Sequence, residues 1–266
     1  MVYQILYTVF QILLIIFLIN LIIIGTFLLL RAYQNRMRNI VFFGVGFYFV
    51  VIGFLGNFFL GLGATFEEIF VSTGFILATF YTNQTFYKRL KLKGRIITLI
   101  VILLGVINVF IRWYYYNIEQ NIFTFYLKQT IDIFFTFTVF GWMGFASYKA
   151  YQKIKDSNIQ PWIIYRYKLL TFASFLLSFQ AVPEICGPYG LKYGDPSFIA
   201  VFVFGITAIL TVVFSICYAI AWFMPKRLKN YLNRDYEIIK EKELSEEDLV
   251  RLIKKELSNN NNFNKI

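Results

Sequence analysis

The chain of 266 residues contains no histidine, and this absence removes several classes of chemistry. A Ser–His or Cys–His nucleophile needs an imidazole base, and the usual catalytic zinc sites need histidine ligands. Haem held by histidine and proton relays through imidazole are excluded for the same reason. The sequence therefore predicts a protein that is not an enzyme and that carries no metal or other cofactor.

Cysteine and acidic residues are also scarce. The two cysteines, Cys186 beside a loop and Cys217 inside an apolar segment, lie in different contexts, so we expect no disulfide. The 15 acidic residues against 26 basic ones give a net charge of +11. A basic excess of this size suggests nucleic acid as a partner, but the positions of the basic residues indicate a membrane surface instead, and we expect no nucleic-acid binding.

Apolar residues are abundant: 58% of the chain is hydrophobic, 21% is aromatic, and the mean hydropathy is +0.61. They fall in blocks of about twenty or more residues, the length that an α-helix needs to cross a bilayer. We predict an all-α, polytopic membrane protein whose residues 1–224 form a bundle of seven transmembrane helices. The predicted spans are 5–30, 40–63, 66–86, 96–113, 124–147, 168–185 and 198–223, with the longest connection at 148–167.

Residues 225–266 are polar and are predicted to form a cytoplasmic tail. Its stretch LSEEDLVRLIKKEL has an N-cap serine and one apolar face, so we expect a short amphipathic helix at about 245–257. The end of the tail, NNNNFNK, is Asn-rich and low in complexity, which is typical of disorder.

Basic residues predict the orientation of the bundle. Lysine and arginine cluster in the first, third and fifth connections and at the start of the tail, whereas the remaining connections have few. By the positive-inside rule, the N-terminus lies outside and the C-terminus lies in the cytoplasm of a multi-pass protein of the cell membrane. The cytoplasmic face is then a candidate surface for a signalling protein, and its candidate residues are Arg89, Lys91, Lys153, Arg166 and Lys226.

Two predicted helices carry a partly polar stripe. Its members recur at spacings of three and four, so they share one helix face that we expect to point into the bundle. In the third span the stripe consists of Glu68, Ser72, Phe75, Thr79 and Thr82, and in the seventh it consists of Thr207, Thr211, Ser215 and Tyr218. In the second span, Gly46, Gly53 and Gly56 share a face that predicts close helix packing, and Asn57 is expected to bond to a neighbouring helix.

The stretch FYLKQTIDIFF places two charges inside the fifth apolar block. Lys128 lies near one end of the block, and its long side chain is able to extend to the interface. Asp132 lies one turn deeper, where a carboxylate needs a partner. Lys128, four residues away, and Arg112, at the end of the fourth span, are both candidate ion-pair partners of Asp132.

The segments RLKLKGRIITLIVILLGV and YKAYQKIKD…YRYKLLTFASFLL resemble the seven-helix sensor regions that precede prokaryotic histidine kinases. This resemblance implies a sensor bundle, and because no kinase follows here, it implies a separate cytoplasmic signalling partner. Residues 198–223 contain no lysine, which excludes a retinal Schiff base of the microbial-rhodopsin type.

We therefore expect a receptor-like or sensor-like protein that binds a small or amphiphilic ligand, such as a lipid, from the outer side and signals to a cytoplasmic partner. The candidate ligand-binding residues are Glu68, Ser72, Asp132, Gln180 and Glu184. Two alternatives stay open at this point: a small-molecule transporter or permease that uses the same polar stripes, and a non-catalytic membrane scaffold.

Overall fold

A computed structural model describes residues 2–87, 91–157, 159–191, 193, 195–234, 236 and 250–251, and the regular elements in these ranges are all α-helices. Seven helices are long: α1 (Val2–Gln34), α2 (Arg38–Phe58), α3 (Ala64–Phe86), α4 (Lys91–Asn117), α5 (Ile122–Ile154), α6 (Pro161–Ser178) and α8 (Phe198–Phe223). Two are short: α7 (Val182–Ile185) and α9 (Lys226–Leu232). The predicted all-α class is confirmed.

Five of the long helices are long and apolar enough to cross a membrane, namely α1, α2, α4 from Leu92, α5 and α8. This set supports a membrane protein. It is smaller than the seven predicted spans, because α3 contains Glu67, Glu68 and many serine, threonine, asparagine and glutamine residues, and α6 contains Arg166 and Lys168. Charged side chains of this kind raise the cost of placing a helix in hydrocarbon.

The long helices form a closed ring in which most neighbours in sequence are also neighbours in space. Helices α1 to α6 pack in order, α6 packs on α8, and α8 returns to α1. Helix α3 also contacts α5, which places it toward the middle of the bundle. Residues on the inner faces of α3, α5 and α8 line one common space.

Glycine allows α2 and α3 to approach closely, as the sequence predicts. A Cβ atom at Gly74 would lie 2.7 Å from the carbonyl oxygen of Gly46, and one at Gly53 would lie 2.9 Å from the carbonyl oxygen of Glu67. Both distances are too short for any larger residue without separating the helices. This close contact holds the acidic start of α3 against the end of α2.

Two predicted boundaries were wrong. The sixth span was expected at 168–185, but α6 runs from Pro161 to Ser178. Pro161 occupies the first turn of α6, and the residues after Ser178 include the separate short helix α7. The long connection expected at 148–167 is only residues 155–160, because α5 continues to Ile154. By contrast, α8 has the predicted bounds of 198–223.

The start of the predicted tail folds back onto the bundle. Helix α9 packs beside α6, and its Leu228 and Leu232 lie in a small apolar cluster with Trp162. The Lys229 ammonium lies 4.7 Å from the centroid of the Trp162 ring. Of the predicted amphipathic helix at about 245–257, only residues 250 and 251 are described, and both are helical. The rest of that segment and the Asn-rich end lie outside the described residues.

Candidate functional site

A buried ionic cluster joins α3, α4 and α5. Arg112 of α4 is its centre: its Nε lies 2.9 Å from Glu68 Oε2, and one terminal nitrogen lies 3.4 Å from Asp132 Oδ2. The amide of Asn108, one turn earlier in α4, donates to Glu68 Oε1 at 2.7 Å and to Asp132 Oδ1 at 3.3 Å. Ser72 donates to Glu68 Oε1 at 2.8 Å. Both carboxylates therefore have a cation within 4.0 Å and a neutral hydrogen-bond donor, and buried anions need partners of this kind.

Lys128 does not extend to the surface. The residue is only 7% exposed, and its ammonium lies 4.8 Å, 5.4 Å and 5.2 Å from the ring centroids of Tyr115, Tyr116 and Phe125. Among the described residues, no carboxylate oxygen lies within 4.0 Å of Lys128 Nζ, so the expected ion pair of Asp132 is formed by Arg112 instead. Electron-rich ring faces stabilise the Lys128 cation where water is largely excluded.

Two further carboxylates lie beside this cluster. Glu67 accepts a hydrogen bond from the Asn57 amide at the end of α2, which confirms the predicted contact of Asn57 with a neighbouring helix. Glu184, in the short helix α7, lies close to the side chain of Gln129 from α5. Helices α2, α3, α4, α5 and α7 thus each contribute at least one polar side chain to this end of the bundle.

A cavity of about 610 Å³ opens between these groups. Its wall combines charged residues from α3, α4, α5 and α7 with apolar residues from α1, α2 and α8. The charged and amide residues that line it are Gln11, Asn57, Glu67, Glu68, Arg112, Lys128, Gln129, Asp132, Gln180 and Glu184. Its size is in the range of sites that hold small organic ligands.

The connection between α7 and α8 covers this end of the bundle and is fixed by tyrosine side chains. The Tyr7 hydroxyl donates to the Asp195 carbonyl at 2.9 Å, and the Tyr193 hydroxyl donates to the Tyr7 carbonyl at 3.2 Å. The Tyr189 hydroxyl donates to the Gln120 carbonyl at 2.7 Å. Leu191 and Tyr193 line the cavity from this side, so the connection forms part of its wall.

The floor of the cavity is apolar. Phe17, Phe54 and Phe75 line both the large cavity and a smaller one of about 60 Å³ directly beneath it. Beyond the small cavity the bundle is filled by aromatic side chains, with Phe43 stacked on Tyr81 at a centroid distance of 4.6 Å. The space therefore narrows from a polar, charged upper part to an aromatic base.

The structure brings four of the five predicted ligand-binding residues to the cavity wall, namely Glu68, Asp132, Gln180 and Glu184. Ser72 is 3% exposed and lies behind Glu68, so it supports the wall without lining it. The predicted α3 stripe is buried along its whole length, as expected. In the α8 stripe, Thr207 and Thr211 line the cavity, and Ser215 and Tyr218 are buried beneath it.

The sequence patterns did not identify Gln129 and Glu67 as lining residues or Asn108 as a partner of Glu68. Gln129 is three residues before Asp132 in α5, so their common helix face was a usable signal. Asn108 is four residues before Arg112 in α4, so the two side chains share one helix face, and both contact Glu68. Glu67 is aimed at the cavity by the packing of α2 on α3, which single-helix patterns do not contain.

Three of the residues predicted as a cytoplasmic partner face, Lys153, Arg166 and Lys226, lie at the other end of the bundle. Lys153 and Lys226 are exposed, whereas Arg166 is half-buried with its guanidinium carbon 4.4 Å from the centroid of the Trp222 ring. Arg89 and the side chain of Lys91 lie outside the described residues. No protein family, curated protein or solved structure matches this chain.

Proposed function

We propose that this chain is a seven-helix integral membrane receptor or sensor whose cavity binds a small or amphiphilic ligand. In this proposal α3 and α6 also cross the membrane, the N-terminus and the cavity face the outside, and the basic end faces the cytoplasm. The single observation that carries the proposal is the cavity of about 610 Å³, which is lined by charged side chains and closed by an aromatic floor.

The floor favours a binding site over a transport path. A permease needs polar groups that continue through the bundle, but below Thr211 the described side chains that fill the centre are largely aromatic and aliphatic. Tyr218, Phe43 and Phe47 pack there in edge-to-face and tilted ring contacts. Tightly packed rings of this kind resist passage of a polar solute.

Helix α5 provides a route for the signal. It contributes Lys128, Gln129 and Asp132 to the cavity end, and its 33 residues, about 50 Å at 1.5 Å each, carry Lys153 exposed at the basic end. A ligand that contacts these cavity residues differently in two positions of α5 would shift the population between those positions. A partner bound near Lys153 would then detect the shift.

A fluorescent label at the basic end tests this proposal. In a chain without its native cysteines (Cys186→Ser, Cys217→Ala), an environment-sensitive dye is attached at Lys153→Cys, and the protein is reconstituted in nanodiscs. We expect at least one of octylamine, 1-octanol and octanoate, three eight-carbon probes with different head groups, to change the dye signal in a saturable way. The same dye at exposed Leu99 in α4, as Leu99→Cys, is the matched control and should stay constant.

Two results would overturn the proposal. If none of the three probes gives a saturable response in either dye signal or bound probe, the cavity is not a ligand site and a scaffold is the better account. If liposomes containing the protein take up radiolabelled probe faster than empty liposomes, the chain is a transporter.

A further inference from the structure

The described residues that line the cavity include more carboxylates than cations. The carboxylates are Glu67, Glu68, Asp132 and Glu184, and the cations are Arg112 and Lys128. With all of these described groups ionised, their formal charge is −2. Charges removed from water need partners, and an excess of one sign in a shielded site attracts a ligand of the other sign.

The two cations are already engaged. Arg112 lies between Glu68 and Asp132, with nitrogen–oxygen distances of 2.9 Å and 3.4 Å. Lys128 is surrounded by three aromatic rings. Among the described residues, no cationic nitrogen lies within 4.0 Å of a carboxylate oxygen of Glu67 or Glu184, and their nearest polar partners are the neutral amides of Asn57 and Gln129. The carboxylates that lack a directly paired cation are therefore Glu67 and Glu184.

An independent feature points to a hydrogen-bond donor. Gln129 is 6% exposed and lines the cavity, and its Oε1 atom is buried with no hydrogen-bond partner among the described residues. A buried acceptor without a donor costs free energy, so most such groups in folded proteins are paired. An ammonium group has three N–H donors and no acceptor, which suits Gln129 Oε1 and the Glu184 carboxylate together.

The apolar part of the cavity is suited to a hydrocarbon chain. Phe17, Phe54 and Phe75 lead from the polar upper part into the small cavity of about 60 Å³. A ligand with a charged head at Glu184 and an apolar tail on this floor would meet both kinds of wall at once. A purely polar ligand would leave the aromatic floor uncovered.

We infer that the cavity selects an amphiphilic organic cation, a primary amine whose ammonium lies between Glu184 and Gln129 and whose apolar chain lies on the phenylalanine floor. This inference rests on the proposed function and specifies its ligand class. It also assigns Gln129 as an acceptor for the ligand.

Binding of octylamine, 1-octanol and octanoate to the full chain in nanodiscs tests the inference, because the three probes differ only in their head group. Calorimetry with empty nanodiscs subtracted gives the protein-bound fraction. We expect octylamine, which is an ammonium at neutral pH, to bind at least tenfold more tightly than 1-octanol, and octanoate to bind most weakly.

Two variants of opposite sign sharpen the test. Glu184→Gln keeps the shape of the side chain and removes one negative charge, so octylamine affinity should fall about tenfold while 1-octanol affinity changes less than twofold. Lys128→Met removes a cation from the wall and should raise octylamine affinity severalfold. Glu119→Gln, an exposed acid outside the cavity lining at the same end, is the matched control and should leave affinity unchanged.

The outcomes distinguish a failure of the amine assignment from a failure of the receptor proposal. Preferential binding of octanoate or 1-octanol, with a saturable dye response, would overturn the amine assignment and leave the receptor proposal in place. Binding of octylamine that is unaffected by Glu184→Gln and Lys128→Met would also overturn it, since the cation would then lie elsewhere. Failure of all three probes to bind would overturn both.

Discussion

The two ends of the bundle are built from the same helices but use polar groups in opposite ways. At the cavity end, charged side chains from α3, α4, α5 and α7 face a space of about 610 Å³. At the basic end, neutral polar groups pair with one another inside the packed core: the Tyr218 hydroxyl bonds to Ser174 Oγ at 2.9 Å and to Met143 Sδ at 3.3 Å. One end therefore directs charged groups into an open space, whereas the other holds neutral polar groups among packed side chains.

The difference follows from side-chain size and charge on the inner faces. The α8 face carries Thr207 and Thr211 at the cavity end and Tyr218 and Trp222 at the basic end. Small threonines leave room, whereas the large rings of Tyr218 and Trp222 fill it and contact Phe43 edge-to-face and Tyr81 in a tilted arrangement. In this bundle a cavity forms where the inner residues are small, and the charges of the residues around it determine which ligands it can hold.

The largest expected effect comes from removing the centre of the ionic cluster. Arg112→Met leaves Glu68 and Asp132 buried without their cation, which should lower the free energy of unfolding by about 3–5 kcal/mol. Equilibrium unfolding in mixed detergent micelles measures the change. Lys149→Met, which removes an exposed cation at the basic end, should change stability by less than about 0.5 kcal/mol. Equal losses in the two variants would contradict the account of the cluster.

A smaller effect is expected where α2 and α3 meet. Gly74→Ala places a Cβ atom 2.7 Å from the Gly46 carbonyl oxygen, so the helices must separate, at a cost of about 1–3 kcal/mol. The separation should also move Glu67 and weaken octylamine binding. Gly141→Ala is the matched control, because its nearest contact lies at 3.9 Å in ordinary van der Waals range. A thermal melt in which both variants behave alike would show that the close contact is unimportant.

The smallest effect is expected at the packed end. Tyr218→Phe removes a hydroxyl with two partners and keeps the ring, so stability should fall by about 1 kcal/mol. Octylamine binding should not change, because the ring packing below the floor is retained. A change of more than threefold in octylamine affinity would mean that the two ends are not separate, and calorimetry on the same preparation detects it.

Sequence patterns located the helices better than their ends. The bounds of α8 follow from a continuous apolar block that starts after Ser197, whose hydroxyl accepts a hydrogen bond from the Ala200 N–H. The bounds of α6 do not follow from an apolar block, because Arg166 and Lys168 lie inside the helix and interrupt its run of apolar residues. An apolar block marks the segment suited to hydrocarbon, and a helix extends beyond it wherever the backbone hydrogen bonds continue.

The candidate site was predictable only where a single helix carried the signal. Asp132 stands out because an acid in an apolar helix needs a partner, and Arg112 was one of two available. The aromatic surroundings of Lys128 combine Tyr115 and Tyr116 from α4 with Phe125 from α5, so no single-helix pattern contains them. The acceptor at Gln129 likewise becomes visible only when the neighbours of its amide are known.

Cysteine reactivity at two positions of one helix face tests whether the cavity end is open to a water-soluble ligand while the core beneath it is closed. Thr207 lines the cavity, and Ser215, two turns later in α8, is fully buried beneath the floor. In the chain without native cysteines, we expect Thr207→Cys to react with a cationic methanethiosulfonate reagent at least 100-fold faster than Ser215→Cys, and octylamine to slow it. Equal rates at the two positions, or equal protection of both, would contradict the account.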